Sequence, residues 1–160
     1  MRKVILGRKA DLKKTHSEAD WLDLESIASV QLTSEDPSFP IENALSPNPE
    51  SNETGWRAAK PGVQVIALNF DRPQRIRRIH LLFIDHQTER SQEFVLRYSS
   101  SQQTEREIVR QQWNFSPHGS TTEIEDYNVN LDRVGILELK INPDISRDDA
   151  IASLAEWRLA

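Results

Sequence analysis

From Val63 almost to Ala160 the chain alternates apolar and polar residues in strand-length runs, each closed by a turn signal. Side chains of a strand point to opposite faces in turn, so period-two alternation of this kind specifies half-buried strands rather than helices. Val63–Phe70 puts Ile66, Leu68 and Phe70 on one face and ends at Asp71-Arg72-Pro73-Gln74. Arg75–Ile84 puts Ile79, Leu81 and Phe83 together, with Leu82 and Ile84 opposite, as a doubly covered strand would. Four further runs follow: Gln92–Ser99, Glu107–Phe115, Thr121–Leu131 and Val134–Asn142. Ala150–Leu159 fits a helix or a strand, and we read it as a strand with Ile151, Ser153, Ala155, Trp157 and Leu159 on one face. With Ile27–Leu32 before them, these runs predict about eight strands and almost no helix. Such a chain folds as a sandwich or a barrel.

The strands are prefaced by Gly55-Trp56-Arg57-Ala58-Ala59-Lys60-Pro61-Gly62, a Trp-Arg pair entering a Pro-Gly turn. Upstream, Thr33–Thr54 is long, polar and irregular, interrupted by one helical turn around Pro40–Leu45. A loop of that length is usually functional or wraps the body. Ser17-Glu18-Ala19-Asp20 has the capping-box spacing of a short helix start. Residues 1–24 are expected to form an extension held by Trp21 and Leu24, and 25–160 the sandwich.

One domain suits 160 residues. A net charge of −5 argues against a general nucleic-acid binder, which needs a basic footprint. No cysteine is present, so disulfides, thiolate metal ligands and thiol catalysis are excluded. Val4-Ile5-Leu6 is too short for a signal-peptide core, which leads us to expect a soluble, cytoplasmic protein, or an extracellular one if the domain belongs to a longer chain.

If successive strands run up and down, alternate loops share an end. Residues 57–62, 85–91, 116–120 and 143–149 then form one rim, and 71–74, 100–104 and 132–133 the other. The first rim gathers Arg57, Lys60, Asp85, His86, Arg90, His118, Asp144 and Arg147, with Trp113 and Phe115 at its edge. Sugar recognition needs charged or amide groups for hydrogen bonds to hydroxyls, and an aromatic face for stacking. Arg57, His86 and Arg90 would supply the first and Phe115 or Trp113 the second, whereas Trp56, Trp113 and Trp157 also read as core residues on strands. No nucleophile motif, glycine-rich phosphate loop or paired catalytic carboxylates stand out, and four scattered histidines lack metal-ligand spacing, so no enzyme is expected.

In order and spacing, several pieces resemble the discoidin, or coagulation factor 5/8 type C, domains. These are Asn43-Ala44-Leu45, Gly55-Trp56-Arg57, Val65–Phe70, Ile76-Arg77-Arg78-Ile79, Phe94–Ser99, Leu137–Ile141 and Ala152–Trp157, over about four fifths of the chain. The resemblance implies an all-β, galactose-binding-like jelly-roll sandwich of about eight antiparallel strands, binding carbohydrate through loops at one end without catalysis. It also implies a structural calcium ion, for which Ser46, Thr54 and Glu156 occupy ligand-like positions; Ser46 stands where an aspartate is usual. No apolar loop tip of the lipid-binding members is found in Asp85–Ser91, so no membrane insertion is expected. Trp56–Lys60 with Ile66, Ile76 and Ile79 further resembles the amino-terminal domain of a single-strand-break repair scaffold. That implies, as the alternative, a module for a protein partner or nicked DNA.

Overall fold

The computed structural model describes residues 21–46, 55–100 and 104–160. The Ser17 capping box and Thr54 lie outside these. A short helical turn, α1 (Leu24–Ile27), leads into β1 (Ala28–Leu32), and a second, α2 (Glu42–Leu45), sits in the irregular segment. Then come β2 (Trp56–Pro61), β3 (Gln64–Ile84), β4 (Arg90–Ser99), β5 (Arg106–Phe115), β6 (Thr122–Asn142), β7 (Ile151–Leu154) and β8 (Glu156–Leu159). All pairings are antiparallel.

The jelly-roll architecture follows the expectation, with one difference that shapes it. The expected turns 71–74 and 132–133 are bends within two 21-residue strands, β3 and β6. Pro73 has no N–H to donate, Arg133 takes a left-handed φ of 54°, and the β3–β6 register shifts between Asn69 and Arg78. Before its bend β3 pairs with β1 and with the second half of β6; after it, with β8 and the first half of β6. Each long strand thus crosses from one layer to the other. β4 and β5 extend the first layer in the order β1-β3-β6-β4-β5, and β2 pairs with β7 beside the second.

Between the layers lie Ile66, Leu68, Ile79, Leu81, Phe83, Phe94, Leu96, Leu137, Leu139 and Ile141, all fully buried, with Phe83 stacked on Phe94 at 5.3 Å. Trp56 and Trp157 are fully buried core residues, and the Trp56 indole N–H donates to the Ser34 carbonyl at 3.3 Å. The last segment differs from expectation. It breaks at Ala155 into β7 and β8, so Ala152 and Leu154 face the core before the break and Trp157 and Leu159 after it. A single face shared by Ile151, Ala155 and Trp157 is therefore not observed; the Ala155 N–H leaves the strand pattern to donate to the Leu82 carbonyl.

Of the expected extension, Leu24 is buried, the Leu22 N–H donates to the Leu159 carbonyl, and Trp21 lies under the Arg78 guanidinium at 4.9 Å and beside His80. Among the described residues no helix is long and apolar enough to cross a membrane.

Candidate functional site

A cleft of about 640 Å³ opens at one end of the sandwich. Its walls are the β3–β4 loop from Ile84 to Arg90, the β6–β7 loop with Asp144 and Arg147, the outward edge of β7, and Arg57 with Phe39. Three of the four loops expected to share one rim, 57–62, 85–91 and 143–149, contribute residues to this cleft. Of the residues expected there, Arg57, Asp85, His86, Arg90, Asp144 and Arg147 line the cleft; Lys60, Phe115 and His118 do not.

Arg90 is not the exposed sugar ligand the sequence pattern implied. Its side chain is only 2% exposed, because it begins β4 on the core-facing side of the strand. The guanidinium donates through Nε to Asp85 Oδ2 at 2.7 Å and through Nη1 to the Pro143 carbonyl at 2.7 Å and Gln92 Oε1 at 3.0 Å. It also covers the Phe115 ring at 4.5 Å. Phe115 is 1% exposed and cannot offer a stacking face. One buried cation thus ties the two loops that form opposite walls.

Asp85 is equally committed. Its Oδ1 accepts the N–H groups of Gln87 and Thr88 at 2.9 and 3.1 Å, which folds the loop into a tight turn. Burial pushes its carboxyl upward, but the Arg90 hydrogen bond and charge, with the two backbone donors, hold it below the usual aspartate value. Asp144 behaves similarly. Burial opposes ionisation, while hydrogen bonds from the Ser146 hydroxyl and N–H and the charge of Arg147 lower its pKa. A backbone bond from Ile145 N–H to the Ser91 carbonyl closes the second loop onto the first.

The exposed polar and charged side chains of the cleft wall include Arg57, His86, Arg147, Gln87, Thr88, Glu89 and Asp149. Arg57 rests on the Phe39 ring at 4.6 Å, which fixes its direction without neutralising it. Phe39 and the edge of β7, including Ile151 and Ser153, were missed from the sequence. Phe39 sits in the long irregular segment, whose unusual length was its one signal. Trp113 is half-buried on β5 away from the cleft, with an indole N–H that is buried and unpartnered. His118 is exposed in the neighbouring 116–120 turn, and Lys60 is exposed at the end of β2.

Beneath the cleft, Gln92 passes the Arg90 network to Glu123, donating to its Oε1 at 3.2 Å. Glu123 is fully buried, and desolvation, reinforced by the nearby Glu125, pushes its pKa up to about 9.

Of the three residues of the calcium expectation, Ser46 and Glu156 are described. The Glu156 oxygens face His80 Nε2 at 3.4 Å and Arg158 Nη2 at 3.5 Å, and the Ser46 N–H closes α2 by donating to the Glu42 carbonyl. A hard cation wants six or more oxygens and would compete with Arg158 for that carboxylate. Among the described residues no group of three or more His, Asp or Glu side chains converges on a point.

No protein-family model matches the sequence, and no curated protein matches it. Solved structures do. A carbohydrate-binding module (CBM32-3) from a family 31 glycoside hydrolase of Clostridium perfringens superposes with a TM-score of 0.65 at 15% identity, covering 90% of this chain and 96% of the module. The family 32 module of C. perfringens NanJ, solved in complex with galactose, gives 0.61 at 14% identity over 87% and 96%. A pectin-binding module gives 0.59 at 18% identity over 83% and 89%. The antiparallel order, the two strands that cross between layers and these superpositions agree: this chain has the galactose-binding-like jelly-roll fold.

Proposed function

We propose that the protein is a non-catalytic carbohydrate-binding module that holds an oligosaccharide in the cleft between Arg57, the Asp85–Arg90 loop and β7. The observation that carries this reading is the division of labour among the charged groups. Arg90, Asp85 and Asp144 are consumed in building the walls, which leaves Arg57, His86 and Arg147 as donors aimed at a ligand. Guanidinium groups suit the paired oxygens of sugar hydroxyls or a uronate carboxylate. A volume of about 640 Å³ is that of a site for a ligand larger than one hexose. Neighbours of the same fold support the ligand class, including the modules solved with galactose and with 4,5-unsaturated mannuronic acid.

The test is a calorimetric titration with galactose and with oligogalacturonates of increasing length. Saturable binding that tightens from monomer to trimer is expected. A folded protein that binds none at millimolar concentration overturns the reading. The protein-partner alternative loses its most conspicuous residue, since Trp56 is fully buried and offers nothing to a partner. The cytoplasmic location is part of this proposal, and recovery of the protein outside the cell would overturn it.

A further inference from the structure

The outer face of the second layer changes character one strand-step from the cleft. Further along, it is ionic: Arg78 and Asp126 form a forked pair at 2.7 and 2.9 Å, and His80 lies between Asp126 and Glu156. Next to the cleft it is aliphatic. Leu82 and Ile124 are directly opposed across β3 and β6, and Ile84 follows Leu82 on the same face. Ile84 is 37% exposed and Ile124 62%. Ile84 also belongs to the cleft wall, and Leu82 accepts the hydrogen bond from Ala155, another cleft residue. The cleft therefore runs without a break onto a small apolar shoulder.

We infer that this shoulder, Ile84-Leu82-Ile124, is a subsite for an apolar group attached to the bound sugar, an alkyl or aryl aglycone. The inference rests on the cleft being the sugar site. Size selects the occupant. Three side chains bounded by Glu156 and Asp126 fall far short of the roughly 800 Å² per partner that a protein interface buries. A diagonal cross-strand pair is about 7–8 Å apart, so Ile84 and Ile124 span a short chain of methylenes. The polar cleft would hold the sugar ring, and the exposed isoleucines would remove the attached hydrocarbon from water.

The experiment compares methyl and octyl β-glycosides of the sugar that binds best in the cleft, below the critical micelle concentration, for the wild type and Ile124→Ser. Ile124 is mostly exposed, so the variant is expected to fold normally. The octyl glycoside should bind the wild type about tenfold or more tightly than the methyl glycoside, since each buried methylene is worth roughly fourfold. In Ile124→Ser that advantage should shrink severalfold while methyl glycoside affinity stays the same. Equal affinity for the two glycosides overturns the subsite and leaves the sugar cleft standing. Failure of both to bind overturns the cleft reading and the subsite with it. Equal retention of the wild type on sugar-free phosphatidylcholine vesicles, lost in Ile124→Ser, would assign the shoulder to a lipid surface instead.

Discussion

Arg90 Nη1 donates to the carbonyl of Pro143 at 2.7 Å while its Nε holds Asp85 at the same distance, so residues 58 positions apart in the chain, at 85 and 143, share one guanidinium. Replacing Arg90 by Ala should destabilise the protein by about 3 kcal/mol, because it leaves the partly buried Asp85 carboxylate without its ion-pair partner and the Pro143 carbonyl without its donor. Arg90→Lys should recover only part of this loss, since an ammonium cannot fork between two loops. Thermal unfolding of both variants checks this; an unchanged melting temperature for Arg90→Ala would show that the loops hold themselves.

Arg57 and Trp56 are neighbours with opposite duties. Arg57→Ala should weaken sugar binding severalfold and leave the melting temperature nearly unchanged, because the side chain is exposed on Phe39. Trp56→Ala should cost about 3–5 kcal/mol of stability, as the loss of a fully buried aromatic does. Titration and melting of the two variants check the division.

Glu123 predicts an alkaline weakness. Its folded pKa of about 9 lies above the ordinary carboxylate value, so between those limits the folded state holds a proton that the unfolded state has lost. Stability from this group is therefore present in full below the unfolded pKa, falls as pH rises, and levels off above about 9. Glu123→Gln, which keeps the shape and remains neutral, should flatten the melting-temperature profile between pH 5 and 9. At pH 8 it should raise the melting temperature by several degrees, as a gain of about 1–2 kcal/mol would.

Asp85, Asp126, Asp144 and Glu156 predict the opposite limb. All four are held below the usual carboxylate values. Their contribution is complete above the unfolded pKa and is lost as pH falls through the folded values. Asp126→Asn, which removes the main cause of the Arg78 pairing, should make the acid limb of the unfolding profile less steep.

Gly55 is fixed by sterics. Its φ is 60°, and a Cβ there would sit 2.5 Å from the Leu154 carbonyl oxygen. Gly55→Ala should destabilise by more than the roughly 1–2 kcal/mol that a left-handed alanine alone costs. It should also disturb β7 and hence the cleft, which a parallel loss of sugar affinity would reveal.

The period-two pattern carried the layers of this fold, because Ile66, Leu68, Ile79, Leu81 and Phe83 alternate as their burial does. Alternation alone does not distinguish a turn from a bend that keeps its pairing, and so β3 and β6 read as four strands. Of the candidate residues, Arg57, His86 and Arg147 lie exposed on the cleft wall, since loop charges face solvent. Arg90 and Phe115 misled because they begin and end paired strands on the inward side, Arg90 opposite Phe115. A cation there is legible as a wall tie only once Pro143 and Asp85 are seen around it. Phe39 and Ile151 reach the cleft through folding of distant segments, which no local spacing encodes.

The two strands that pass from one layer into the other have a consequence for selectivity. β3 and β6 stay paired on both sides of the bend, with Gln74 opposite Val134 within it, so the layers are joined by a continuous crease and cannot slide past one another. The cleft stands on the far ends of those strands, at Ile84 and Asn142. Its aperture is set like that of a gauge rather than a jaw. On the carbohydrate-binding reading proposed above, choice among glycans would fall to the few side chains lining it, and retuning would be a problem of single substitutions rather than of altered motion.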